Sequence, residues 1–216
     1  MSSADAMTLT REVRHLRVPS INNYPIFATD QLYHIMSRKY KFRNPEGLYF
    51  VSFAVVYWMD LFTREKYSQI FIDTLKFYAK DRLELYAYCI MPNHVHMVFR
   101  DKNNQPELLL GNIKRYSSQQ IQKAIESNPK ESRKDWLLWM MARAASKESN
   151  VNRRMLWQHH NKPIELWSTH IIDQKIKYID DNPIKAGYVT ESWHWKYSSA
   201  VNYADGVGVI DVCEVG

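Results

Sequence analysis

The chain is poor in the features that would mark a secreted or membrane-bound protein. It carries two cysteines in 216 residues, Cys89 and Cys213, with no CxxC between them. No disulfide framework is implied, and a reducing compartment fits. The opening "MSSADAMTLTREVRHLR" lacks the apolar segment of a signal peptide. The longest apolar run, "LYFVSFAVVYWM", is 12 residues and stops at Asp60, too short to cross a bilayer. Internal repeats and low-complexity stretches are absent, as are HxHxDH and HExxH, which weakens a zinc-hydrolase reading. A soluble, cytoplasmic protein with no membrane partner is expected.

What is present is ample core and a basic balance. The composition is 45% hydrophobic, enough to bury a real core and to exclude a disordered chain. The formal charge of +6 leans toward an anionic partner. Aromatics make up 13% of the chain, and mixed with Lys and Arg they suit base stacking beside phosphate pairing, although most such rings belong to cores.

Along the chain, residues 1–43 have no sustained period and read as an arm, with Met36 opening a stretch that resembles a natural start. "GLYFVSFAVVYW", 47–58, is β-branched and aromatic and predicts a buried strand. Tyr67, Ile70, Phe71, Leu75 and Tyr78 then fall on one helical face, with Thr63 as the expected N-cap. "LELYAYCIMP" and "HVHMVFR" predict two strands joined at Pro92-Asn93. Helices are expected over 106–127, 131–148 and 168–183, with a strand and loop over 153–167 and an aromatic tail packing back on the domain. The order β-α-β-β-α-β predicts an α+β, ferredoxin-like antiparallel sheet with packed helices. The expected division is an arm at 1–43, a catalytic domain at 44–205 including an aromatic C-terminal region, and a tail at 206–216.

Chemistry concentrates in "YCIMPNHVHMVFR". In a strand, residues two apart share a face, so His94 and His96 project together while Val95, Met97 and Phe99 turn the other way. Two parallel imidazoles can share one divalent metal, but HxH alone is also found in ordinary surface pairs. On the helix over 106–127, Tyr116 and Gln120 lie one turn apart at the edge of the apolar stripe. There a phenol could act as nucleophile and an amide oxygen as a third ligand; a half-buried tyrosine beside a solvated glutamine is the plainer reading. His159 and His160 are adjacent, so in a strand they face opposite ways and cannot chelate jointly.

"YAYCIMPNHVHMVF", "IKRYSSQQI", "YIDDNPIKAGYV" and "YSSA" together resemble the HUH single-tyrosine transposases, and most of all their REP-associated tyrosine transposase branch. The resemblance covers roughly residues 36–205. It implies His94 and His96 as the metal-binding HUH pair, Tyr116 as catalytic tyrosine, Gln120 as third metal ligand, and Mg²⁺ or Mn²⁺ as cofactor. It further implies nicking and rejoining of single-stranded DNA at short imperfect-palindrome hairpins through a 5′-phosphotyrosine. A nucleoid-associated monomer follows, with a dimer as the alternative. Lys114 and Arg115, flanking Tyr116, are candidates for DNA phosphates. Two other readings stay open: a hairpin binder that has dispensed with catalysis, and a metal phosphohydrolase using the HxH alone.

Overall fold

The computed structural model describes residues 41–148 and 153–215. The expected arm and Met36 lie outside the described residues, except for 41–43. Within those three, Phe42 packs edge-on against Tyr49 at 4.7 Å, so the arm's end belongs to the folded body.

Four strands form one antiparallel sheet in the order β2-β3-β1-β4: β1 Tyr49–Ala54, β2 Leu83–Ile90, β3 His94–Asp101 and β4 Ile164–Glu165. This is the expected ferredoxin-like arrangement, with β3 inserted between β1 and β2. All of β1 except Ser52 is buried, because helices cover both faces of the sheet.

One face packs Val51, Phe53, Val95, Met97 and Phe99 against α1 (Glu65–Ala79) and α2 (Pro106–Ser127), with α3 (Lys134–Ala145) beside them. The other packs Phe50, Ala87, Cys89 and Val98 against α4 (Thr169–Asp180). Ile171, Ile172, Ile176 and Ile179 form the inward stripe of α4, and Ser168 caps it by accepting from the Ile171 amide at 3.4 Å. After Asp181 a single further helical turn, α5 (Asn182–Lys185), is started by Pro183 and closed by Gly187 at φ 74°.

The structure departs from expectation in several places. The apolar run 47–58 does not stay extended: the strand ends at Ala54, and Val56–Trp58 is a 3₁₀ turn. Thr63 does not cap α1; it sits in a second 3₁₀ turn, its hydroxyl donating to the Asp60 carbonyl at 2.7 Å, and Arg64 precedes the helix with no side-chain cap. The segment 153–167 contributes only two strand residues and a bridge from Trp157 to Val55.

The aromatic tail packs back as expected, and more tightly than a tail boundary at 206 implies. Ile90 donates to the Tyr197 carbonyl at 2.9 Å, and Cys213 donates to the Leu85 carbonyl at 2.7 Å. Ser199 Oγ accepts from the Tyr88 amide at 3.0 Å, and Ile210 is buried. The tail thus covers β2, which would otherwise present an open sheet edge. Cys89 is buried, Cys213 is exposed, and both are free thiols. Among the described residues no helix is long and apolar enough to cross a membrane.

Candidate metal and nucleophile site

The pairing of β3 with β1 puts Ser52 opposite His96 and Ala54 opposite His94. Both imidazoles therefore leave the sheet on the α4 side, as the strand period requires. They converge there: the two Nε2 atoms are 3.1 Å apart and the ring planes meet at 81°. His94 is held from behind, its Nδ1 2.7 Å from Asn93 Oδ1. His96 stacks on Phe50 with centroids 5.7 Å apart.

Burial pushes the His94 imidazole below its ordinary range, with the Asn182 side chain acting in the opposite direction. His96 is pushed down to about 3, by burial first and then by His94 and Lys175. Both rings are therefore neutral at neutral pH, the state in which imidazole binds metal. With Nδ1 of His94 donating to Asn93, its Nε2 lone pair faces Nε2 of His96. That lone pair needs positive character opposite it: the proton of His96, or a cation shared by both rings.

Two nitrogens bound side by side to one octahedral ion at the usual bond lengths stand roughly 3 Å apart, so the observed spacing fits. Nδ1 of His96, on the far side of the ring, is buried with no hydrogen-bond partner. Among the described residues no three His, Cys, Asp or Glu side chains gather into a metal cage. A third protein donor to a metal would then have to be neutral, and Asn182 is placed to offer one. Its amide nitrogen lies 3.2 Å from His96 Nε2, and turning the amide over would present the oxygen instead.

The aromatic ring nearest this pair from α4 is Tyr178, 5.3 Å from the His96 ring and 5.8 Å from Phe50. It is 39% exposed, so its phenol is open to a ligand. Lys175 and Lys185 lie 5.6 and 5.8 Å from its ring centroid. Lys177 and Lys185 both reach Asp181 at 3.5 Å, fixing the turn between α4 and α5.

The structure does not bring Tyr116 and Gln120 to the histidines. They lie on the opposite side of the sheet, in the groove between α1 and α2, among Lys66, Asp73, Lys76, Lys80 and Lys123. Tyr116 stacks on Phe77 of α1, with centroids 6.2 Å apart and planes at 17°. The apolar stripe of α2 is buried as expected, through Leu110, Ile113, Ser117, Ile121 and Ala124. That stripe docks on the Val95 face, so a residue at its edge meets α1, not the histidines.

Lys114, expected at DNA phosphates, is engaged within the fold. Its ammonium is partly buried, donating to the Gln158 carbonyl at 2.8 Å and to Asn161, and desolvation pushes it down to about 7. Arg115 is exposed and donates to Asn112 at 2.8 Å. His159 pairs with Glu148 at 3.3 Å.

Sequence reasoning thus singled out the histidine pair but not Tyr178 and Asn182, which the structure places beside it. The signal was there: "YIDDN" places a tyrosine and an amide four apart on a helix, the same spacing as Tyr116 and Gln120.

Comparison with known proteins bears on the family and the fold. The family model described as "Transposase IS200 like" matches residues 49–156. That span contains both histidines and Tyr116 but ends before Tyr178, so the choice between the tyrosines rests on geometry. A Haemophilus influenzae protein that carries the name of a REP-associated tyrosine transposase is 29% identical over 118 residues, 54% of this chain and 58% of the relative. The match therefore spans little more than half of that relative's length. A solved structure described as the REP-associated tyrosine transposase bound to a REP hairpin superposes with a TM-score of 0.51 at 16% identity. It covers 79% of this chain and 89% of that one, which establishes the shared fold.

Proposed function

The chain belongs to the IS200-like transposase family, and from that premise we propose that it nicks and rejoins single-stranded DNA beside short hairpins, with Tyr178 as nucleophile. The observation that carries this reading is the convergence of His94, His96, Asn182 and Tyr178 at one spot on the sheet. His94, His96 and Asn182 would hold Mg²⁺ or Mn²⁺. A divalent cation there supplies charge neutralisation and orientation for the scissile phosphate.

The chain's own residues account for the rest. A phenol keeps its proton at neutral pH, so Tyr178 must give it up to solvent as the oxygen closes on phosphorus. The Tyr178 oxygen forms the new P–O bond, the bond to the 3′ oxygen breaks, and that oxygen leaves as a free 3′-OH after taking a proton from solvent. The phosphodiester energy is kept in the tyrosyl ester, so a 3′-OH can attack in reverse and rejoin strands without ATP. Lys175 and Lys185 stand where the flanking phosphates of such a strand would lie. Hairpin DNA is favoured as substrate by the +6 charge and by the hairpin named in the description of the structural neighbour. Asn182, the two histidines and Tyr178 meet within one chain, which favours action as a monomer in the compartment that holds the DNA.

The test is a denaturing gel. Protein, Mn²⁺ and a labelled hairpin with a single-stranded flank should give a covalent adduct. Tyr178→Phe should abolish it, and Tyr116→Phe should leave it intact. An adduct that survives Tyr178→Phe sinks the assignment. Cleavage without an adduct would favour hydrolysis, and binding without cleavage would favour a hairpin binder that has dispensed with catalysis.

A further inference from the structure

The turn after β1 is the most strained part of the described backbone. Tyr57 and Trp58 are consecutive and both left-handed, at φ 54° and 55°. Bulky side chains rarely adopt this conformation, and each instance costs roughly 1–3 kcal/mol. Two in a row, with no glycine, persist only because the surroundings force them.

Those surroundings are specific. Val55 donates to the Asn93 carbonyl at 2.8 Å, Val56 to the Leu156 carbonyl at 2.8 Å, and Phe62 to the Pro92 carbonyl at 2.9 Å. Trp58 itself donates to the Val55 carbonyl at 3.0 Å. Val55, Val56, Met59, Leu61 and Phe62 are buried on either side of the turn. The turn is therefore fastened to the Pro92-Asn93 corner, whose asparagine side chain also holds His94.

What the strain achieves is to turn Trp58 outward at the metal site. Trp58 is 58% exposed, and its edge relation to His94 puts the ring centroids 5.8 Å apart at 68°. A tryptophan that served the core would be inside it, as Trp157 is. Tyr57 leans the other way, under the Lys147 ammonium at 5.4 Å. A rigid indole with an open face beside the histidines is a platform for an unpaired nucleobase, because base stacking on aromatics is strong and indifferent to sequence.

We propose that Trp58 is a base-binding residue, stacking on the unpaired nucleotide next to the scissile phosphate and thereby placing that phosphate at His94 and His96. This rests on the reading that the histidine pair acts on single-stranded DNA. Trp58 acts through substrate position, so it is a positioning residue for the reaction.

The experiment uses Tyr178→Phe protein, expected to hold DNA without cutting it, and hairpins carrying 2-aminopurine at each position of the single-stranded flank in turn. One position should lose its fluorescence on binding, and Trp58→Ala in the same background should restore it, with Trp58→Phe intermediate. Replacing that nucleotide by an abasic site should weaken binding to the parent about tenfold and leave binding to Trp58→Ala unaltered. A quench that persists undiminished in Trp58→Ala, no quenched position at all, or an abasic penalty equal in both proteins would overturn the proposal. Circular dichroism and melting of Trp58→Ala check that the fold survives. Failure of the nicking reading looks different: wild-type protein would form no adduct with the natural-base hairpin, whatever the quench.

Discussion

His94 and His96 owe their usefulness to being dry. Burial holds both imidazoles neutral, so protons should compete little with metal near neutrality. The same burial has a stability consequence. The unfolded chain takes up a proton on each histidine near pH 6.5, whereas folded His96 does so only toward about 3. The pair is thus neutral in its effect above about pH 6.5 and destabilises the fold increasingly below it. Asp180 has the opposite sign. Burial, aided by Asp181, pushes its carboxyl up to about 7, and its Oδ1 has no hydrogen-bond partner. It destabilises the fold increasingly as the pH rises from about 4 to about 7. In metal-free melts, His96→Gln should lose less stability than the parent between about pH 7 and about pH 5. Asp180→Asn should raise the melting temperature most near about pH 8, with the gain shrinking toward about pH 4. Asn182→Ala should weaken Mn²⁺ binding by roughly tenfold in a calorimetric titration, since one of three protein donors is lost. Unchanged Mn²⁺ affinity would remove Asn182 from the ligand set.

At the scale of elements, α2 and α4 divide the work between the two sheet faces. α2 is a core helix: Ile113 and Ile121 are fully buried, and Ser117 accepts from the Trp157 indole at 3.1 Å. Ile113→Ala should therefore destabilise by about 2–5 kcal/mol in urea unfolding, while the Tyr116 edge tolerates change. α4 carries the isoleucine stripe inward and Tyr178 at its border, so its register fixes the phenol over His96. Much of this was legible in the chain. The strand period placed both histidines on one face, the 3.6-residue period located α1 and α2, and the strand–helix order gave the sheet. The turn at Val56–Trp58 was not legible, because "VVYW" is a strand sequence by propensity and only its tertiary hydrogen bonds bend it. The tail illustrates the same limit. Ser199 both accepts from and donates to the Tyr88 backbone, at 3.0 and 3.2 Å. Ser199→Ala should cost about 1–3 kcal/mol by leaving those buried groups unpaired, again measured by urea unfolding.

At the scale of the whole molecule, the site is assembled from β3 and a helix more than seventy residues further along, and both come from one chain. Mixing Tyr178→Phe protein with His96→Ala protein should therefore restore no adduct formation. Recovery of a substantial part of the wild-type yield would mean that subunits exchange the tyrosine helix. The sequence by itself determined the paired imidazoles, the sheet order and the family resemblance, because strand period, element order and motif spacing are local properties of the chain. It also offered two tyrosines, Tyr116 and Tyr178, each with an amide four residues on. Nothing local distinguishes them: both lie on amphipathic helices at the border of an apolar stripe. Only the tertiary structure shows which of them stands beside the histidines, because α2 packs on the Val95 face of the sheet and α4 on the His96 face, and a side chain cannot reach through a strand.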